Sequence, residues 1–130
     1  MYSMSKTEKQ TIGEWGEQEA VCFLVEKGYT VVERNFQTRM GEIDIIAWHK
    51  KIHFGNTLCF VEVKTRGGEK GSAERATRGE KFANIKQAAT AYCLQNNVDR
   101  EHTPIQFEQV SIYGGPKGLK DIRHYEIPMI

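Results

Sequence analysis

The chain has 130 residues, of which 39% are hydrophobic and 27% charged, and its formal net charge is +1. This composition predicts one soluble globular domain and excludes a disordered chain or a uniformly basic nucleic-acid-binding protein. We expect a cytoplasmic protein, because no apolar run could span a membrane, residues 1–10 carry no signal peptide, and the three cysteines are scattered and odd in number.

The residue pattern predicts an α/β fold with the element order α-β-β-β-α-β-β. We expect residues 1–10 to be a flexible N-terminus and residues 11–130 to form a single domain. The periodicities predict seven elements, at residues 11–27, 29–36, 42–48, 58–66, 82 to about 96, 105–113 and 122–127. A helix between the third and fourth strands implies at least one parallel pair in a mixed sheet. The polar, glycine-bearing residues 67–80 predict a loop.

The first predicted helix carries a charge where an apolar residue is expected. Thr11 is a candidate cap and Gly28 a stop signal. Glu17 falls on the apolar stripe by its 3.6-residue spacing, so its charge needs a partner. Gly13 and Gly16 would let this end of the helix approach another backbone closely.

Two smaller features concern later segments. The alternation of the fourth strand breaks between Phe107 and Val110, which predicts a β-bulge. His49 and His53 could ligate zinc, but no Cys or acid pair completes a four-ligand site, so we expect two solvent-exposed histidines.

Ionisable residues interrupt the apolar second and third strands. Glu62 and Lys64 are two residues apart and therefore share a face. If the apolar neighbours of both strands cover one face of the sheet, Asp44 joins this pair on the other face and Glu17 approaches from the helix. Three acids and one amine have a net charge of −2, and like charges this close either protonate or recruit a cation. An all-oxygen set suits Mg²⁺ or Mn²⁺. Glu-x-Lys alone is close to chance, and a plain cross-strand ion pair would look the same.

The loop between these strands decides whether the acids meet. A two-residue turn at Gly55-Asn56 would place Asp44 and Glu62 on opposite faces and about 16 Å out of register. The apolar pattern instead favours a wider loop over residues 50–56 or a bulge that resets the phase. We expect the register that the apolar pattern favours.

Four segments of this chain occur together in a known family. They are Gly-Glu-Trp-Gly-Glu at 13–17, Arg-Asn-Phe at 34–36, Gly-Glu-Ile-Asp-Ile-Ile-Ala at 41–47 and Phe-Val-Glu-Val-Lys-Thr-Arg at 60–66. Together they resemble the YraN-like family of uncharacterised bacterial proteins over roughly residues 11–95, with a looser similarity at 107–112. That family is similar to archaeal Holliday-junction resolvases and other PD-(D/E)XK nucleases. The resemblance implies a restriction-endonuclease-like three-layer fold.

The resemblance also implies roles for individual residues. Asp44 matches the first acid of the motif, Glu62 and Lys64 match its (D/E)XK part, and Glu17 matches the extra helix glutamate of the resolvases. Ile43 stands where the motif has proline. In the implied site, Asp44, Glu62 and the Val63 carbonyl bind Mg²⁺ or Mn²⁺, and Glu17 binds a second ion or a metal-bound water. Four basic residues would hold the nucleic-acid backbone: Arg39, Arg66, Arg78 and Lys81.

The expected function is metal-dependent cleavage of phosphodiester bonds in nucleic acid, with DNA favoured over RNA and branched DNA as a candidate substrate. Residues 64–86 carry seven Lys or Arg and three Asp or Glu, a net charge of +4, so a polyanion would meet a local basic surface. A homodimer is expected by analogy with the resolvases. The alternatives are a non-catalytic nucleic-acid-binding module that keeps the fold, and a protein-interaction scaffold.

Overall fold

Five strands form one mixed sheet, and a helix covers each of its faces. A computed structural model describes residues 6–66 and 79–128 of the chain. In chain order the elements are α1 (Lys6–Glu26), β1 (Thr30–Gln37), β2 (Glu42–Lys51), β3 (Gly55–Arg66), α2 (Gly79–Gln95), β4 (Ile105–Gly115) and β5 (Gly118–Ile127). The predicted α/β class, element order and three-layer arrangement are confirmed.

The strands lie in the sheet in their chain order, β1-β2-β3-β4-β5. Three neighbouring pairs are antiparallel, and β3 and β4 are parallel because α2 carries the chain back across the sheet. One apolar core joins α1 to the sheet through residues such as Leu24, Ile45 and Val61. A second core joins α2 to the opposite face through residues such as Phe60 and Ile85.

The hairpin between β2 and β3 has a three-residue loop, Ile52-His53-Phe54. Lys51 pairs with Gly55, and Gly55 has a φ of 75°, a left-handed conformation that glycine adopts without strain. The tight turn at Gly55-Asn56 therefore does not form, and the register that the apolar pattern favoured is confirmed, although the loop covers only residues 52–54 rather than 50–56.

Several boundaries differ from those predicted. α1 begins at Lys6 rather than Thr11, and α2 begins at Gly79, inside the predicted loop. The rest of that loop, residues 67–78, lies outside the described residues, as does Arg78. The division into residues 1–10 and 11–130 stays a prediction. None of the described helices is long and apolar enough to cross a membrane.

The predicted bulge near Phe107 is wrong. β4 pairs regularly with β5 from Phe107 to Tyr113, and the irregularity lies between Tyr113 and Gly114. The sequence of β4 does not alternate because the strand is buried on both faces and Glu108 lies fully buried among the residues packed beneath α1.

Three partners compensate Glu108. Its carboxylate accepts hydrogen bonds from Tyr29 Oη at 2.9 Å, Lys51 Nζ at 3.0 Å and His124 Nε2 at 2.6 Å. Burial alone would raise the pKa of Glu108, but the hydrogen bonds from His124 and Lys51 outweigh it and lower the pKa to about 2. His49 stacks on Tyr29 with ring centroids 4.0 Å apart, so it is half-buried rather than solvent-exposed as expected.

The two glycines of α1 differ in what surrounds them, and a matched pair of substitutions tests this. A Cβ at Gly16 would clash with the Thr65 side chain, 2.8 Å from Cγ2 and 2.9 Å from Cβ, whereas a Cβ at Gly13 meets no heavy atom within 4 Å. We expect Gly16→Ala to lower the free energy of unfolding by about 1–3 kcal/mol because α1 must move away from β3. Gly13→Ala should raise it by up to about 1 kcal/mol, since alanine favours the helix.

Urea denaturation of both variants at one pH measures these changes. Equal effects at the two positions would show that α1 does not pack closely on Thr65.

Candidate functional site

The candidate site lies where β2 and β3 separate. Their pairing ends at Ile45 and Val61, so Asp44 and Glu62 are the next two positions along the two strands. Asp44 Oδ2 accepts a hydrogen bond of 2.7 Å from the backbone N–H of Val63. The Asp44 side chain thus satisfies a β3 donor that lies beyond the last pair with β2.

A local kink in β1 and β2 turns the chain at Asp44. Ile45 packs beneath α1, whereas Ile43 packs beneath α2, so the two flanking isoleucines lie on opposite faces. Beside them in β1, Asn35 has a φ of 52°, a left-handed conformation that asparagine tolerates better than most residues. The assumption that Ile43 and Ile45 share one apolar face is therefore wrong. The kink places Asp44 at the opening between the strands.

Glu62 lies on the α2 side of the sheet and is paired with two lysines. Its Oε1 is 3.0 Å from Lys64 Nζ and 2.9 Å from Lys81 Nζ, while its side chain is only 8% exposed. Lys64 comes from β3 itself and Lys81 from the first turn of α2. The predicted Glu62–Lys64 pair is confirmed as a contact, and Lys81 joins it.

Glu17 reaches the opposite side of the opening from α1. Its Oε1 accepts hydrogen bonds from Arg34 Nε at 3.0 Å and Asn35 Nδ2 at 3.1 Å. These two groups are the partners that a charge on the apolar stripe of the helix requires. The sequence interpretation gave Arg34 and Asn35 no role. A register shift between Val31 and Glu33 turns Arg34 toward α1, and a simple two-residue alternation misses it. An asparagine inside a β-forming run was the available signal for the kink.

A cleft of about 770 Å³ opens over Asp44 between α1 and the ends of β1, β2 and β3. Its charged lining consists of four acids and two cations: Glu14, Glu17, Glu42, Asp44, Lys64 and Arg66. If all six are charged, their sum is −2. Glu62 is not among the described lining residues, because it lies on the α2 side under Lys64 and Lys81.

The ionisation of the site reflects this crowding of acids. Burial, then the negative charge of Glu62, raises the pKa of Asp44 to about 7, although the hydrogen bond from Val63 opposes the shift. Glu17 and Glu42 add to the rise. Burial and the neighbouring Lys81 lower the pKa of Lys64, while its contact with Glu62 opposes the shift. The charged form of Asp44 is therefore electrostatically disfavoured, and a cation bound in the cleft would stabilise it.

The basic residues expected to hold nucleic acid are not gathered in one place. Arg66 lines the cleft, whereas Arg39 is exposed in the turn between β1 and β2. Lys81 contacts Glu62, and Arg78 lies outside the described residues. Only Arg66 among these is placed by the described structure in the cleft wall.

The acids do not form a ready metal-ligand cluster. Among the residues that the structure describes, no group of three or more His, Cys, Asp or Glu side chains is arranged to hold a metal ion. Each of the three acids is instead paired with neighbouring groups of the chain: Asp44 and Glu17 accept hydrogen bonds, and Glu62 forms ion pairs. The metal roles assigned to Asp44, Glu62, Val63 and Glu17 stay predictions.

Fold and site define a three-layer α/β domain with an acid and a lysine-paired glutamate at a strand opening. The chain belongs to the uncharacterised protein family UPF0102, whose profile matches residues 16–112, and the YraN-like resemblance is confirmed. It is 40% identical over 102 residues to a UPF0102 protein of Syntrophomonas wolfei, covering 78% of this chain and 83% of that protein. A UPF0102 protein of Alkaliphilus oremlandii is 37% identical over 116 residues, 88% and 94% of the two chains.

A third relative matches more strongly over a shorter stretch. The UPF0102 protein of Chlorobium phaeobacteroides is 49% identical over 82 residues, which are 62% of this chain and 61% of that protein. The alignment thus spans less than two thirds of the Chlorobium protein. None of these names states an activity.

The raised pKa of Asp44 predicts a pH-dependent loss of stability. Between pH 4 and pH 7, roughly the ordinary and the folded pKa, the folded protein holds a proton that the unfolded chain releases. Stability therefore falls as the pH rises through this window. Asp44→Asn removes the titration, so at pH 8 the variant should be more stable than the wild type. About 1.4 kcal/mol per pKa unit sets the scale, with about 4 kcal/mol as the upper limit.

Urea denaturation of both proteins from pH 4.5 to pH 8.5 isolates the Asp44 contribution as the difference between the two curves. A difference that stays constant across this range would contradict the assignment.

Proposed function

We propose that this chain is a metal-dependent endonuclease-like domain that hydrolyses phosphodiester bonds in nucleic acid. The observation that carries the proposal is Asp44, a largely buried acid at the strand opening whose pKa is raised by burial and by Glu62. A carboxyl group whose charge is disfavoured in this way, beside a cleft of net negative lining, suits a divalent cation. The resemblance to PD-(D/E)XK nucleases supports the same chemistry.

The residues around Asp44 fit Mg²⁺ or Mn²⁺ by chemistry, because the available donors are carboxylate and carbonyl oxygens. Asp44, Glu62 and the Val63 carbonyl would hold the ion, and Glu17 would bind a second ion or a metal-bound water. Such an ion would supply Lewis acidity toward a phosphoryl oxygen. To bind it, Glu62 has to give up at least part of its contact with the two lysines.

The protein groups have separate tasks in this proposal. Lys64 lines the cleft, and its lowered pKa suits a group that orients an attacking water or steadies charge on the phosphate. The Val63 N–H fixes the Asp44 carboxyl through one oxygen. Arg34 and Asn35 fix Glu17 in the same manner. The acids are thus held in place before any ligand arrives.

Nucleic acid is the substrate that the basic residues favour. Arg66 in the cleft wall and Arg39 on the β1–β2 turn would hold the phosphate backbone, a type of contact that reads little sequence. DNA, with branched DNA as one form, and a cytoplasmic location belong to the same proposal. A homodimer would allow two strands to be cut.

A second candidate is a nucleic-acid-binding module without catalysis. The observation that favours it is the pairing of Glu62 Oε1 with both Lys64 and Lys81, which leaves that oxygen compensated in the described structure. This candidate predicts salt-dependent binding of nucleic acid and no cleavage with any divalent ion.

Cleavage assays with labelled branched and linear DNA distinguish the two candidates. We expect the wild type to cleave in Mg²⁺ or Mn²⁺ and Asp44→Asn to lose at least about a hundredfold in rate, because the amide cannot supply a charged ligand. The matched control is Asp99→Asn, in the exposed segment between α2 and β4, which should cleave like the wild type.

Thermal unfolding with and without Mn²⁺ provides a readout independent of cleavage. Stabilisation by the ion in the wild type but not in Asp44→Asn would support the metal site, since only a specific site links ion binding to folding. Equal cleavage by Asp44→Asn and the wild type would indicate a contaminating nuclease and overturn the proposal.

A further inference from the structure

Two lysines crowd a single oxygen of Glu62, and the proposed hydrolysis explains only one of them. Lys64 belongs to the cleft wall, whereas Lys81 is not among the cleft-lining residues that the structure describes. Both ammonium groups lie within 3.0 Å of the same oxygen, Oε1. A divalent cation that binds Glu62 must compete with them for this oxygen.

The two lysines differ in their exposure to solvent and in the element that carries them. Lys64 is in the paired part of β3, opposite Ser111 of β4, and its side chain is 19% exposed. Lys81 stands in the first turn of α2, and its side chain is 53% exposed. A half-hydrated ammonium loses little on returning to water, because it keeps much of its hydration in the pair and the contact is partly screened by solvent. Lys81 is therefore the lysine that can leave.

We propose that Lys81 is a tethered counter-ion of Glu62, and that a divalent cation has to displace it in order to bind. The inference rests on the proposed function, because it takes Glu62 as a metal ligand. In the free protein Lys81 is a positioning residue that keeps Glu62 compensated. Once displaced, its ammonium stays attached to α2 next to the site, where it can neutralise a phosphate of bound nucleic acid.

The displacement couples the two ligands of the site. A cation that takes Glu62 releases one positive charge for the nucleic acid, and bound nucleic acid in turn holds that charge away from Glu62. Each ligand should therefore strengthen the binding of the other.

Calorimetric titration with Mn²⁺ tests the competition directly. Lys81→Met keeps an apolar stem and removes the charge, so we expect the Kd for Mn²⁺ to fall by about three- to tenfold. Lys81→Arg keeps the competing charge and should leave the Kd near the wild-type value. In a Glu62→Gln background, Lys81→Met should have no further effect, because the shared carboxylate is gone.

Lys86→Met is the matched control on the same helix. Lys86 Nζ lies over the Phe82 ring, 5.0 Å from its centroid, rather than on Glu62. Its removal should change the Kd by less than about twofold, since a charge that is not in the pair acts only through screened solvent. An equal gain in Lys86→Met and Lys81→Met would overturn the proposal, because net charge alone would then explain it.

Two other results separate this proposal from the proposed function. If Lys81→Met and the wild type bind Mn²⁺ equally while Asp44→Asn does not bind it, the counter-ion role is wrong and the metal site stands. If neither the wild type nor Lys81→Met binds Mn²⁺, both proposals are wrong.

Discussion

The candidate site depends on one hydrogen bond, which the Val63 N–H donates to the Asp44 carboxylate. It forms where β2 stops pairing with β3, and it gives β3 a partner that the departing strand no longer supplies. The opening between the strands gives the cleft access to Asp44 and to the end of β3. The Asp44 side chain accepts the hydrogen bond of this backbone donor and also lines the cleft. The same residue therefore contributes to the structure of the sheet and to the chemistry of the site.

Compensation of charge organises the rest of the protein. Glu62 is paired with two lysines on the α2 side, and Glu17 with Arg34 and Asn35 on the α1 side. Burial and the negative charge of Glu62 raise the pKa of Asp44 to about 7, and the hydrogen bond from the neutral Val63 N–H only partly opposes the rise. Among the described residues Asp44 has no cationic partner of this kind, so a positively charged ligand is most favourable there. It lies between Glu17 and Glu62, which are each fixed by their own partners.

Much of this arrangement could be predicted from the residue pattern. The element order and the parallel β3–β4 pair follow from strand and helix periodicities, and the β2–β3 register follows from matching apolar runs rather than from the Gly55-Asn56 dipeptide. The phase of Asp44 could not be predicted by alternation, because the strands kink beside the left-handed Asn35, and Ile43 and Ile45 therefore pack on opposite faces. Partners from distant segments, such as Arg34 for Glu17, depend on how α1 packs on the sheet, which no local pattern records.

Two carboxyl groups with strongly shifted pKa values lie on β2 and β4, on either side of β3, and their pKa values are shifted in opposite directions. Glu108 ionises at a pKa of about 2 and Asp44 at about 7, so between these values the buried ion pairs beneath α1 persist while the acid at the strand opening carries a proton. In this range the pH therefore sets whether Asp44 is charged and leaves Glu108 ionised. A crystal grown in mildly acidic buffer would hold Asp44 neutral and attract cations more weakly than one grown above neutrality, where the same folded chain presents a charged acid.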